Sequence, residues 1–389
     1  MAMRTRLIVF CATVPVIAFT LIGGYLGNVS AGEDTYRHLR VFEDVVSLIS
    51  NNYVERVDLD DVMHGALRGL AEGLDTDSAY LSREEAERIE RGDPLPDGRV
   101  GIELTRRYYT QVIAARDASP AAGAGILPGD YVRAIDGEPT RLLSAVEGQR
   151  RLRGEPGSTV TLSLIRGSTQ EPYDITLTRE RLTPPGVSGR ILAGTSDIGY
   201  LRIPFFAADV AARIAETVDA LADDGAAHVI IDVRNTAEGT YDAAIEAARL
   251  FVADGTLVIR ARAGGEREPI AAAPGAEAIG LPATLLINFG SSGPAELFAA
   301  ALVERDRATP VGQRTAGRVG LQRLIRLPDG TGLWLSWARY LTAGGESIHP
   351  YGIEPQVAVE MTLPELGEPL PEEDPILDRA IETIASEAA

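Results

Sequence analysis

The spacing of hydrophobic and polar residues changes twice along the chain. Apolar residues recur at helical spacing between about Thr35 and Glu90. From about Gly98 to Leu182 they mostly alternate with polar residues, as in half-buried strands, with one helical stretch at Leu142 to Leu152. From Ile198 onwards, short apolar strands alternate with helices, which is typical of an α/β layer. The pattern therefore predicts a multidomain α/β chain.

Individual elements can be predicted in the second and third stretches, because turn residues such as Asp136-Gly137 separate them. The predicted strands are Tyr109 to Ala114, Tyr131 to Ile135, Thr159 to Ile165, Tyr173 to Thr178, Ile198 to Ile203, Val229 to Arg234 and Ala283 to Asn288. The predicted helices are Val210 to Leu221, Tyr241 to Phe251, Ala295 to Glu304 and, near the C-terminus, Ile376 to Ser386.

The N-terminus has the pattern of an export signal. Arg4 and Arg6 precede an apolar segment at residues 7–26, and polar residues follow it. The segment is about long enough to span a bilayer, and Val29-Ser30-Ala31 would serve as a small-residue cleavage site. Removal of the segment and its retention as an anchor are both open. The rest of the chain is predicted to be exported, in the periplasm or elsewhere outside the cytoplasm.

Composition excludes several classes of function. The formal net charge of −19 argues against a nucleic-acid partner, because such a chain cannot neutralise phosphates. It also disfavours an anionic lipid surface, so any membrane contact is expected only through the N-terminal segment. The single cysteine, Cys11, and four scattered histidines suggest no metal site, and no cofactor is predicted. Every basic residue is Arg, so no mechanism in this chain can use a lysine.

One run of small residues and glycines points to a known domain. Residues 119–130 read SPAAGAGILPGD, and Ile135-Asp136-Gly137 follows. This spacing resembles the core motif of a PDZ domain, which binds a peptide by adding it as a strand beside an exposed sheet edge. An alternative is a PDZ domain that has lost its ligand and only packs against its neighbour. The resemblance places the carboxylate-binding loop at Arg99, Val100, Gly101 and Ile102. It places the opposing helix wall at Leu143 and Val146.

Further motifs extend the resemblance over nearly the whole chain. GLDTDSAYL stands at 73–81, IGYLRIPFF at 198–206, VIIDVRN at 229–235 and YLTAGG at 340–345. In this order they resemble the C-terminal processing proteases of peptidase family S41. The resemblance implies an N-terminal helical region, a β-barrel-like PDZ domain and an α/β serine-peptidase core. The implied boundaries are 1–31 for the signal or anchor, 32–95 helical, 96–182 PDZ, 183–362 peptidase core, and 363–389 for an acidic, Pro-rich tail with a terminal helix.

The catalytic motifs depart from the family pattern. The family's nucleophilic serine aligns with Ala295, and its lysine base aligns with Arg318. In the motif that supplies the oxyanion hole, Gly239 is present but Glu238 replaces a glycine. Gln322 matches the family's glutamine. An alanine methyl cannot attack a carbonyl, and arginine stays protonated at any ordinary pH.

The sequence therefore predicts a catalytically inactive member of the family, which binds or presents protein C-termini or unfolded polypeptide. A homo-oligomer or an assembly with an active paralogue is a possible partner arrangement. The alternative is an active serine peptidase with a relocated nucleophile, Ser291 or Ser292, and His228 or His349 as its base. A third hypothesis is a structural envelope protein whose PDZ groove is filled by its own chain.

Overall fold

A computed structural model describes residues 36–106, 109–167, 171–195, 197–273, 275, 278–368, 371 and 373–387. The predicted export segment at 7–26 and its candidate cleavage site lie outside the described residues. Within those ranges, no helix is long and apolar enough to cross a membrane.

The chain divides into two compact units after Gly69. The first unit contains helix α1, over 36–52, and most of α2 (Leu59–Glu72). A carboxylate oxygen of Asp58 accepts a hydrogen bond of 2.9 Å from the Asp60 N–H, which satisfies one backbone donor at the start of α2. Several large apolar side chains of α1 are exposed, among them Leu39, Val41, Val45 and Leu48.

The second unit begins with a short strand, β1 (Ala79–Leu81), followed by α3 (Arg83–Arg91). A capping box between Ser82 and Glu85 starts α3, and Gly92 in the left-handed conformation ends it. The helix was predictable from the sequence, but the strand was not. β1 pairs antiparallel with residues 332–334, so this N-terminal segment is part of a sheet formed with the C-terminal half of the chain.

The predicted PDZ domain is a sheet in the order β3-β4-β5-β7-β8, with β6 beside β5 and a separate β2–β9 pair. Side chains at alternate positions, such as Val160, Leu162 and Leu164, are buried in its core, which is why their strand was predictable. Among the residues that the structure describes, β3 pairs with β4 alone, which makes it an edge strand. The strands are β2 (Gly98–Arg99), β3 (Ile102–Arg106), β4 (Thr110–Ala115), β5 (Tyr131–Ile135), β6 (Glu138–Pro139), β7 (Thr159–Ile165), β8 (Tyr173–Thr178) and β9 (Glu180–Arg181), and the helices are α4 (Pro120–Gly123) and α5 (Ala145–Arg151).

The peptidase-like core contains two sheets. Its strands are β10 (Ser188–Ile191), β11 (Ile198–Arg202), β12 (His228–Asp232), β13 (Thr256–Arg262), β14 (Arg267–Ala271), β15 (Ala283–Ile287), β16 (Ala308–Gly312), β17 (Gly320–Arg326), β18 (Gly332–Thr342) and β19 (Val357–Ala358). Its helices are α6 (Val210–Asp223), α7 (Tyr241–Arg249), α8 (Pro294–Val303) and α9 (Pro375–Glu387).

The first core sheet has the order β10-β11-β12-β15-β16-β19 and is parallel except for β10. Successive residues of β12 point to opposite faces: Val229 and Ile231 pack with α6, α7 and α8, and Ile230 packs with α9. Both faces are covered, so the strands are almost wholly apolar and were visible in the sequence.

The second core sheet, β1-β18-β13-β14 with β17 beside β18, is antiparallel and was not predicted. Strand β17 begins two residues after Arg318, the predicted base position, so this sheet positions that residue.

Partly buried ion pairs attach the C-terminal helix to the parallel sheet. Arg234 donates to Asp374, which caps the start of α9, at 2.7 and 2.8 Å, and to Asp232 at 2.6 Å. The Tyr200 hydroxyl also donates to Asp232, at 2.6 Å. Burial opposes ionisation of Asp232, but the charges of Arg234 and Arg202 outweigh it and lower the pKa of this carboxyl. The terminal helix therefore packs on the core.

Candidate active site

The predicted nucleophile position lies at the start of α8. Gly293, with φ 57°, is the N-cap residue, and Pro294 occupies the first turn, where its missing N–H is not needed. Ala295 follows and is completely buried. Its N–H donates to the Ser292 carbonyl at 3.2 Å. The position thus holds a methyl group packed in the hydrophobic core.

The next residue, Glu296, connects α8 to the segment that carries the predicted base. Its carboxylate is fully buried and accepts four hydrogen bonds. The backbone N–H groups of Gly293, Gly317 and Arg318 donate at 3.1, 2.5 and 2.7 Å, and the Thr315 hydroxyl is the fourth donor. Burial raises the pKa of Glu296, and the four donors oppose that rise. Sequence analysis did not identify this residue as part of the site.

Arg318, the residue at the base position, is held by an ion pair. Its Nε and Nη2 donate to one carboxylate oxygen of Asp77 at 2.7 and 2.6 Å. Its Nη1 lies 3.4 Å from the Leu104 carbonyl in β3. Burial favours loss of the proton, but the charge of Asp77 outweighs it and raises the pKa of Arg318 above its ordinary value. The guanidinium is therefore a fixed cation with no capacity to accept a proton.

The glutamate in the oxyanion motif is paired with arginines of the predicted PDZ domain. Glu238 accepts from Arg116 through two hydrogen bonds, the one from Nε measuring 2.8 Å, and from Arg99 at 3.3 Å. Arg99, predicted for the carboxylate loop, therefore contacts the core. Gly239 has φ 129°, and a Cβ there would lie 2.5 Å from the Phe206 carbonyl oxygen, so packing alone requires glycine.

The two candidate replacement nucleophiles are buried in the same loop. The Ser291 hydroxyl donates to the Val233 carbonyl at 2.9 Å and accepts from the Asn288 N–H at 3.1 Å. Ser291 is completely buried, and Ser292 is 2% exposed. The Ser292 N–H donates to the Thr236 carbonyl at 3.0 Å. Both residues thus bind the loop to the one that follows β12.

The candidate replacement bases also have definite neighbours. Nδ1 of His349 lies 2.8 Å from the Gly317 carbonyl oxygen, so this nitrogen carries the proton and is a donor. Nε2 of His228 lies 3.0 Å from the Thr284 hydroxyl, at the opposite end of the parallel sheet strands from the loop that holds the serines.

A cavity of about 460 Å³ lies between the predicted PDZ domain and the antiparallel core sheet. The predicted residues Val146, Arg318 and Gln322 line it, and the Gln322 amide donates to the Ser336 hydroxyl at 3.3 Å. Leu143 instead packs against the PDZ core, where Val100 and Ile102 are buried. Other residues of its wall, which sequence analysis missed, are Asp77, Glu85, Arg88, Ile89, Glu103, Leu104, Gln149, Arg153 and Trp334.

Glu103 adds a titratable group to this cavity. It precedes Leu104 on the edge strand β3, and burial raises the pKa of its carboxyl to about 7, while the charge of Arg318 limits the rise. The only sequence signal for Glu103 is its position, immediately after the predicted carboxylate loop.

Comparison with known proteins agrees with this architecture. A model of peptidase family S41 matches residues 197–359, and a PDZ-domain model matches residues 98–177. The carboxy-terminal-processing protease of Bartonella bacilliformis is 30% identical over 369 residues, which cover 93% of this chain and 84% of that protein. The chain belongs to this family of S41 carboxy-terminal-processing proteases.

Other family members show the same relationship. The carboxyl-terminal-processing protease of Synechocystis sp. is 34% identical over 270 residues, covering 68% of this chain and 63% of that protein. A solved photosystem II D1 C-terminal processing protease has a similar fold, with a TM-score of 0.68 and 24% identity over 82% of this chain and 92% of that one. The predicted family and fold class are therefore confirmed.

Proposed function

We propose that this chain is an exported, catalytically inactive S41 carboxy-terminal-processing protease that binds protein C-termini or unfolded polypeptide through its PDZ domain. The observation that carries the proposal is the pair of substitutions at the predicted catalytic positions. Ala295 has no nucleophilic atom, and Arg318 is protonated and ion-paired with Asp77. Acyl transfer needs a nucleophile and a base within hydrogen-bonding distance, and neither position supplies its part.

The oxyanion region supports the same conclusion. An oxyanion hole works by presenting hydrogen-bond donors to a developing negative charge. Here Glu238 brings a carboxylate into the motif, and the nearby donors of Arg99 and Arg116 are directed at it. Glu238 thus brings negative charge to the motif near which an oxyanion would have to form.

A relocated nucleophile has less support. Ser291 would have to abandon two hydrogen bonds to become reactive, and Ser292 is almost fully buried. His349 donates from Nδ1 to the Gly317 carbonyl, which leaves Nε2 as the ring nitrogen that could accept a proton. The alternative, an active peptidase that uses Ser291 or Ser292, is the outcome of the experiment below that would contradict the proposal.

The N-terminal region supports the proposed location and partners. The arginines and apolar segment at residues 7–26 support export, and the matching relatives in Bartonella and Synechocystis are named as processing proteases. The exposed apolar side chains of α1 are suited to contact with a second copy or with an active paralogue.

The test is to incubate the purified chain with an unfolded protein that ends in apolar residues, and to follow binding and cleavage together. We expect saturable binding without cleavage, and weaker binding to the same substrate when its C-terminus is amidated. Cleavage that persists in the purified chain and disappears in Ser291→Ala or Ser292→Ala would contradict the proposal.

A further inference from the structure

The open edge of β3 is already hydrogen-bonded to side chains of the protein itself. The Gln149 side-chain amide donates to the Ile102 carbonyl at 2.8 Å and accepts from the Leu104 N–H at 3.2 Å. The Leu104 carbonyl receives Nη1 of Arg318 at 3.4 Å. Three successive backbone groups on this edge, which β4 does not use, thus have partners from α5 and from the segment before β17.

These are the groups that a bound peptide strand would need. Along an edge strand, alternate residues present both their N–H and their C=O groups outwards, and Ile102 and Leu104 are two such residues. Strand addition obtains its main-chain hydrogen bonds from these groups. The carboxamide of Gln149, with one donor and one acceptor, occupies them as a peptide group would.

The short distance between α5 and β3 makes this contact possible. Gly148 is buried in α5, and a Cβ at this position would lie 3.2 Å from Cδ1 of Leu104. Because Gly148 has no side chain, the helix lies close enough for Gln149, one residue later, to reach the strand. The adjoining cavity of about 460 Å³, which Gln149 and Arg318 both line, offers space beside the occupied edge.

We propose that Gln149 and Arg318 act as internal competitors for the peptide site of the PDZ domain. In the ligand-free chain they satisfy the edge of β3, and an incoming peptide strand must displace them to bind. The arginine at the former base position would then influence peptide affinity instead of catalysis. This inference rests on the proposed peptide-binding function, and it names Gln149 as the principal competitor because Gln149 makes the two shorter contacts.

The first test is peptide affinity, measured with the full-length chain in mild detergent by titrating a fluorescent peptide that has an apolar C-terminus. The variants are Gln149→Ala and, as a matched control, Gln356→Ala, which removes an exposed amide from the peptidase core. Displacing hydrogen bonds costs little each, so we expect Gln149→Ala to lower the dissociation constant about five- to tenfold. Gln356→Ala should leave the dissociation constant unchanged.

If the unmodified chain binds the peptide and Gln149→Ala binds it equally or more weakly, the inference is wrong. The proposed function is unaffected by that result. If neither chain binds the peptide, the proposed function fails and the inference fails with it.

The second test needs no peptide. Amide hydrogen exchange at Leu104 should be slow in the unmodified chain and accelerate severalfold in Gln149→Ala, because its N–H loses its acceptor. The same rate in both chains would show that Gln149 does not occupy the edge, and would overturn the inference whatever the affinities are.

Discussion

The loop before α8 and the edge of β3 are both occupied by the protein's own side chains, but in different settings. In the loop, the fully buried carboxylate of Glu296 binds three backbone N–H groups and a hydroxyl, and Ser291 is equally enclosed. At the edge, Gln149 and Arg318 line a cavity of about 460 Å³. Polar groups in the loop are therefore enclosed by their partners, whereas those on the strand edge border open space.

The largest effect on stability is expected from Glu296→Gln, which disrupts the hydrogen bonds of the loop before α8. A carboxamide has an NH₂ group in place of one oxygen, so at least one N–H donor of the loop would face another donor. We expect the free energy of unfolding to fall by about 4 kcal/mol, because a buried polar cluster would be left unsatisfied. Urea denaturation measures this change. In the matched control Glu216→Gln, on the exposed face of α6, it should stay within about 0.5 kcal/mol. A loss below about 1 kcal/mol in Glu296→Gln would contradict the structural role assigned to this residue.

A pH-dependent effect is expected from Glu103→Gln, beside the peptide edge. The carboxyl pKa is 4.5 ordinarily and about 7 in the folded chain, so between these values the native state binds more protons than the unfolded state. Its contribution to stability therefore decreases as the pH rises through this window, by about 3 kcal/mol in total. At pH 8 we expect Glu103→Gln to be more stable than the unmodified chain by about that amount, and at pH 4 nearly equal to it. Denaturation midpoints of the two chains at the two pH values measure the difference in stability. A difference that does not change with pH would refute the raised pKa of Glu103.

A smaller loss of stability is expected from Glu238→Gln, which weakens the contact between the oxyanion motif and the PDZ domain. Arg116 is almost fully buried and would lose its anionic partner, but Glu238 is 26% exposed, so water moderates the cost. We expect unfolding to become easier by about 2 kcal/mol. In Glu180→Gln, an exposed position of β9, stability should hardly change. If the free energy of unfolding falls equally little in both variants, the ion pair does not stabilise the chain.

The smallest effect is expected on activity from Ala295→Ser. The new hydroxyl would be buried and would lack a base, because Arg318 remains protonated beside Asp77. Hydrolysis of an unfolded substrate should therefore stay at the background rate. Measurable turnover in this variant would show that another group serves as a base, and the comparison between a locked loop and an open groove would have to be revised.

Much of the fold was predictable because burial leaves a pattern in the sequence. The strands at Tyr131–Ile135, Thr159–Ile165 and Tyr173–Thr178 have the predicted bounds, since alternation and flanking turns mark both ends. The antiparallel sheet of β13, β14, β17 and β18 was missed. Its strands, such as β17 (Gly320–Arg326), have intermediate and exposed positions and carry arginines, so they lack the apolar signal of a buried strand.

The sequence by itself determined the family, the domain order and the residue types at the predicted catalytic positions, Ala295 and Arg318. These are properties of residue type and local spacing, which a linear pattern retains. Only the tertiary structure decided which partners those residues meet. Asp77 is 241 positions from Arg318, and Arg116 is 122 positions from Glu238. Such pairs depend on how distant strands and loops come together, and no local preference of either residue encodes them. The occupation of β3 by Gln149 is of the same kind, because it depends on the distance between a helix and a strand 47 positions apart.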